Sequence, residues 1–359
     1  MQSVLQKTTG LGPKPVRPDN LNGRVAIVVG GAFGIGFEVS RALANAGCRV
    51  IMVNRKEDQG EDAIATITAE SPGASVDWKE CDMGNLKQVR EVFSALRRDA
   101  LDRLDFLVLS AGINTNEYGI DADGIERHFG VNYLGQFYVV NQLWPVLRKT
   151  SKMSGVPPPR VVFEASEMHR TAPSHVHFAS LDEINDSSLG PTELYGRTKL
   201  ALILLTKYGL AGSVIKENQD NIYALSVHPG AVRLSLATNM IRLDEADGSF
   251  FFSLQVNTAM QQQWKDAYPG LTGKLLTWAM LAFGRDVKQG SYSALWALTD
   301  PKIEEENMNG FYFNDPDKVG KESAQASDEK LGSALWDLSH RIIREKLGED
   351  ALVDWKVCE

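Results

Sequence analysis

The sequence predicts an α/β fold: a doubly wound, mostly parallel sheet of about seven strands with helices on both faces and a helical insertion late in the chain. Three observations predict it. Short continuous apolar runs, bounded by glycine or polar residues, have the length of strands buried on both faces. Stretches with helical periodicity separate these runs. Strand–helix alternation at this spacing requires right-handed crossovers between parallel neighbours.

The elements follow in order. Residues 1–22 are a polar tail carrying Pro13, Pro15 and Pro18. Residues 25–29 (VAIVV) read as the first buried strand. Residues 34–46 are helical and end at Gly47, a stop signal. A second strand is expected over 49–53, a helix over 56–70, a third strand over 75–79 and a helix over 86–100. A fourth strand follows at 104–109, then a long helical stretch at 125–148. Residues 160–163 open a fifth strand, and 193–216 are helical. A sixth strand is expected at 222–227, a short seventh at 310–313 and a last helix at 333–347. The alternation runs unbroken from about 24 to 230, so residues 23–359 read as one domain.

Residues 234–285 break the rhythm. They are rich in large apolar groups, among them Phe250, Trp264, Tyr268, Trp278 and Phe283. Ligands of open α/β sheets bind outside the carboxyl ends of the strands. An insertion after the sixth strand is therefore placed to cover that site, or to pack as a lobe beside it.

Composition sets limits on function. The chain has 359 residues, 43% of them hydrophobic, enough for a sizeable core. It carries 38 basic against 46 acidic residues, a net charge of −8, with no basic patch. Such a chain is a poor partner for nucleic-acid phosphates or anionic membranes. Cys48, Cys81 and Cys358 are too few and scattered for a disulfide framework or zinc cluster. The tail has no apolar stretch, and the longest apolar run, 200–205, is too short for a span. A cytoplasmic protein with neither signal peptide nor membrane span is expected.

The chemistry gathers at strand ends. Gly30, Gly34 and Gly36 follow the first strand and open the first helix, with Phe33 and Ile35 between them. This turn lets a pyrophosphate approach N–H groups at a positive helix end. Arg55 and Lys56 end the second strand, where a dinucleotide's adenosine ribose sits. A basic group there accommodates a 2′-phosphate, so NADP(H) is the expected cofactor. A solvated turn is the plainer alternative. Tyr195 and Lys199 share one helical face at i and i+4. A cation beside a phenol lowers its pKa and fits it for proton transfer. Alone this spacing is a weak signal. Ser166, 29 residues earlier at a strand end, strengthens it.

With these residues in view, the chain resembles the short-chain dehydrogenase/reductase family, in its retinol-dehydrogenase and WW-domain-oxidoreductase-like branch. The likeness covers about 22–233. It rests on GGAFGIG at 30–36, Asn54-Arg55, Cys81-Asp82-Met83, Leu109-Ser110-Ala111-Gly112, Val131-Asn132, RVVFEAS at 160–166, YGRTK at 195–199 and HPGAV at 228–232. It implies a Rossmann-type sheet. It also implies that Tyr195 is the general acid/base, that Lys199 binds the nicotinamide ribose and tunes Tyr195, and that Ser166 donates to the substrate oxygen. Asn132 would hold a relay water, and Asp82, with Met83 beside it, would fix the adenine. Ser110, Ala111 and Gly112 would line the cofactor, and Pro229, Gly230 and Val232 would meet its nicotinamide end.

Departures from the family pattern are Val29, Leu109, Ser110 and Leu234, where the family usually has threonine, asparagine, asparagine and threonine. None touches the Asn-Ser-Tyr-Lys set.

The resulting expectation is an NADP(H)-dependent enzyme interconverting a secondary alcohol and a carbonyl on a lipophilic substrate, in the manner of specialised-metabolite chemistry. A non-redox cyclisation or isomerisation on the same scaffold, and a non-catalytic cofactor sensor, stay open at this level. The helices over 132–147 and 195–208 are apolar around much of their girth, so a homodimer, or cover from the insertion or the N-terminal tail, is expected. His169, His175 and His177 match no metal spacing. Glu164, in an apolar strand, needs a polar partner or the strand's open end. Glu167 is either a substrate contact or a solvated acid.

Overall fold

The computed structural model describes residues 13–230 and 285–358. Eight strands form one sheet: β1 (Val25–Val29), β2 (Arg49–Asn54), β3 (Val76–Glu80), β4 (Phe106–Leu109), β5 (Arg160–Glu164), β6 (Tyr223–Val227), β7 (Tyr312–Asp315) and β8 (Lys318–Val319). Their spatial order is β3-β2-β1-β4-β5-β6-β7-β8. The first seven are parallel, and β8 folds back antiparallel on β7. The expected strands are all present; the two-residue β8 is the addition. The order reverses between β1 and β4, the point at which such sheets bind ligands.

The apolar runs are explained by burial on both sides. Ile27 and Val29 pack into one core, and Ala26 and Val28 into the other. One layer contains α1 (Gly34–Asn45), α2 (Glu57–Glu70) and, unforeseen, α6 (Tyr292–Thr299). The opposite layer contains α3 (Leu86–Asp99), α4 (Gly135–Ser151), α5 (Pro191–Asn218) and α7 (Glu329–Leu347). A single turn (Arg127–Phe129) and a wide π turn (Gly130–Leu134) lead into α4.

Helix α5 has 28 residues and is long and apolar enough, by length and composition, to cross a membrane. In this fold 72% of its most apolar window is buried against the sheet and α7. Packing within the protein therefore accounts for its hydropathy.

The apolar girth of α4 also has its explanation inside the chain. Helix α7 and the segment after it lie over α4 and α5. Tyr133 shares a 2.7 Å hydrogen bond with Ser339. Tyr138 donates to the Ala351 carbonyl, and Asn141 bonds the Val353 backbone in both directions. Trp355 lies edge-on to Trp144 at 5.5 Å. Among the described residues, the chain's own C-terminal end supplies a partner for this girth.

Candidate active site

The turn after β1 is held tightly. Gly30 has φ +80°, and its N–H donates to the Val53 carbonyl at 2.7 Å. A Cβ here would come within 2.6 Å of the Ala111 nitrogen. So glycine lets the β1 turn touch the backbone leaving β4. Phe33, exposed and extended, precedes α1 but supplies no side-chain cap. Gly34, Ile35 and Gly36 form the first turn of α1, which has no acidic residue. Its N–H groups are left for an anion. This open cradle fits the pyrophosphate of a dinucleotide.

Around the cradle, Arg55 extends from the end of β2, mostly exposed, with Nη1 3.5 Å from Asp82 Oδ2. Lys56 is exposed beside it and precedes α2. Asp82 accepts from the Gly84 N–H at 2.9 Å, and Met83 is buried next to it. Ser110 donates its N–H to Val29, and the Ala111 carbonyl accepts from Gln136 Nε2. Gly112 is exposed. Pro229 and Gly230 follow β6, and Arg285 Nη1 donates to the Pro229 carbonyl at 3.3 Å. Val232, Leu234 and nearly all of the 234–285 insertion lie outside the described residues, but the two flanks of that segment meet at this point.

The four expected catalytic residues converge on the ends of β4 and β5. Asn132 sits in the π turn. Its Oδ1 accepts from Ile113 N at 2.7 Å, and its Nδ2 donates to the Ile113 carbonyl at 2.8 Å and to Thr198 Oγ1 at 3.3 Å. The side chain is thus a strut between the loop after β4 and α5, a role the spacing did not disclose. Ser166 caps the short turn Glu167–Thr171, where its Oγ accepts from the Met168 N–H.

Helix α5 supplies the rest. Lys199 donates from Nζ to the Glu164 carbonyl at 2.6 Å and lies 5.3 Å from the centre of the Tyr195 ring. The residues between them also have structural roles. Gly196 lets the Glu167–Thr171 turn approach: a Cβ there would lie 2.3 Å from Thr171 Oγ1 and 2.7 Å from the Met168 carbonyl. Arg197 is buried and donates to the Ile184 and Glu183 carbonyls. Thr198 meets Asn132.

One electrostatic expectation is corrected. Tyr195 is pushed above the usual phenol range, not below it, by burial and then by the nearby Glu164 charge. Burial also pulls Lys199 down to about 8, opposed by Glu164. Desolvation outweighs the neighbouring cation here.

The flanking residues resolve as well. Glu167 is part-exposed but not free: it accepts from Arg170 and from Tyr312 Oη, both at 2.9 Å, and these partners hold it below the usual range against the desolvation that would raise it. His169 is buried, bonded to Ser166 O and to Ser323 N. No cluster that could hold a metal occurs among the described residues. Glu164 does lie at a strand's open end, beside Lys199.

Known proteins resemble this chain in sequence and fold. The sequence model of short chain dehydrogenases matches residues 24–157. The WW domain-containing oxidoreductase of Gallus gallus is 30% identical over 343 residues, covering 92% of this chain and 70% of that one. The chain belongs to the short-chain dehydrogenase/reductase family. Human polyprenol dehydrogenase is 27% identical, covering 90% of this chain and 85% of its own. The short-chain dehydrogenase/reductase drtF of Aspergillus calidoustus is 28% identical, covering 92% and 97%. Levodione reductase shares the fold, with a TM-score of 0.57 at 16% identity over 81% of this chain and 95% of its own.

Proposed function

We propose that this oxidoreductase uses NADP(H) to interconvert a secondary alcohol and a carbonyl on a lipophilic substrate. The observation that carries the reading is the convergence of Ser166, Tyr195 and Lys199 beside the uncapped cradle of α1. A bound nicotinamide supplies or accepts the hydride. Tyr195, a phenol protonated at neutral pH and only raised further by burial, gives its proton to the developing alkoxide. Ser166 Oγ accepts from Met168, which leaves its O–H free to donate to the substrate oxygen. Lys199 keeps two N–H donors for the ribose after serving Glu164. A protonated phenol serves the reductive direction.

Arg55 and Lys56 support the phosphorylated cofactor, by charge and position. The lipophilic substrate is supported by the apolar composition of 234–285, by the meeting of its flanks at Pro229, and by the long apolar alcohol named in the human relative. The test is a panel of ketones of rising apolar length, offered with NADPH and with NADH and followed at the reduced-nicotinamide absorbance. The expected result is oxidation of NADPH in preference to NADH, at a rate that grows with chain length. Binding of nucleotide with no oxidation on any ketone, and no reduction on the matching alcohols, would overturn the redox reading.

A further inference from the structure

Glu164 is a buried acid at the site that the proposed chemistry leaves unused. It ends β5 with its residue 7% exposed. One carboxyl oxygen is in hydrogen-bond reach of Ser110, and Oε1 has no partner among the described residues. Its main-chain oxygen holds Lys199 Nζ at 2.6 Å. Ser110 Oγ in turn lies 3.1 Å from where a Cβ at Gly36 would be, in the first turn of α1. The carboxyl is therefore enclosed between the cradle assigned to the pyrophosphate and the lysine assigned to the ribose. An unpaired carboxyl buried there is costly, and packing alone would be served better by an aliphatic side chain.

We propose that Glu164 makes this site select the redox state of its cofactor: its charge offsets Lys199 and favours the cationic, oxidised nicotinamide over the neutral, reduced form. The proposal rests on the cofactor reading above. Its physics is Coulombic. Without an anion the Lys199 cation repels the positive ring of the oxidised form and leaves the reduced form unaffected. With Glu164 ionised the pair is neutral and that repulsion is lifted. Tighter binding of the oxidised form also draws the bound equilibrium towards carbonyl reduction, the direction that protonated Tyr195 serves.

The effect depends on pH. The titratable groups facing Glu164 are Lys199 and Tyr195, both from α5. β4 brings the Ser110 hydroxyl, and β6 pairs the apolar Val227 with it. His228, one residue further, is turned to the Glu167 N–H instead. Burial raises the Glu164 carboxyl and lowers the Lys199 ammonium, so both change charge near neutral pH. As Glu164 ionises it offsets the Lys199 cation, and as Lys199 loses its proton the repulsion of a positive ring falls further. Preference for the oxidised form therefore rises as pH passes through neutrality.

The test measures dissociation constants of NADP+ by calorimetry and of NADPH by fluorescence, at pH 6 and pH 8. Wild type, Glu164→Gln and Glu164→Val are compared; the valine variant covers the case in which a buried amide prevents folding. Titration of the 2′-phosphate touches both nucleotides alike and cancels in their ratio. In the wild type, preference for NADP+ should grow roughly three- to tenfold from pH 6 to pH 8, the order a unit charge exerts across a partly screened site. In both variants the ratio should shift towards NADPH at pH 8 and keep only the smaller pH dependence that Lys199 itself gives. A ratio that is unmoved by substitution, with both constants changed equally, would mean Glu164 only packs. A wild-type ratio that is flat with pH would overturn the proposal as well. A wild type that binds neither nucleotide would instead bring down the cofactor reading, and this proposal with it.

Discussion

Arg55 leaves the end of β2 with most of its side chain in solvent and only a 3.5 Å contact to Asp82. It can turn to a 2′-phosphate without breaking a buried bond. A charge-assisted hydrogen bond of that kind contributes about 1.5–3 kcal/mol. Arg55→Asp should therefore weaken NADPH binding roughly tenfold or more and leave NADH binding close to unchanged, as read by the fluorescence of bound reduced nucleotide. Equal affinities for both nucleotides in the wild type would remove the basis of the cofactor choice. At this scale the sequence was legible where chemistry constrains residue type: Asn132, Ser166, Tyr195 and Lys199 all reach the same strand ends. The environment of each was not legible. No spacing reveals that Asn132 is spent on Ile113 and Thr198, or that burial lifts the Tyr195 phenol where a neighbouring cation alone would lower it.

Helix α5 performs two jobs, core packing and presentation of the catalytic face, and Gly196 is where they meet. The Glu167–Thr171 turn lies against the helix because no side chain intervenes. Gly196→Val would push that turn and Ser166 away from Tyr195. Overpacking of this sort costs about 1–3 kcal/mol, so the melting temperature should fall and turnover should drop more than tenfold, with cofactor affinity retained. Unchanged turnover would show that the Ser166 turn does not set the geometry. The element pattern itself was readable for a physical reason. Strands buried on both faces must be largely apolar, and β1 and β4 are so throughout. Helix α6 escaped notice because YSALWALT is eight residues, buried around most of its girth, and so shows no polar face. The π turn before α4 has no signature in hydropathy, and β8 is only two residues long.

In the whole molecule, the C-terminal end completes the core. Residues 349–358 satisfy Tyr138, Asn141, Gln142 and Arg148, and place Trp355 against Trp144, Phe137 and Trp336. Deleting 349–359 should cost about 2–4 kcal/mol in urea denaturation, the sum of lost packing and orphaned polar groups. It should also expose an apolar face that drives self-association at micromolar concentration, measured as a rise in mass by light scattering relative to the intact chain. An unchanged midpoint and mass would show that this cover is dispensable. The proposed reaction depends on one proton. Tyr195→Phe removes a single oxygen and keeps the ring, the helix and the cofactor cradle. Its single-turnover rate of NADPH oxidation, on a ketone the wild type reduces, should fall about 10²–10⁴-fold, with the NADPH dissociation constant unchanged. A Tyr195→Phe protein that oxidises NADPH at the wild-type rate would contradict the account.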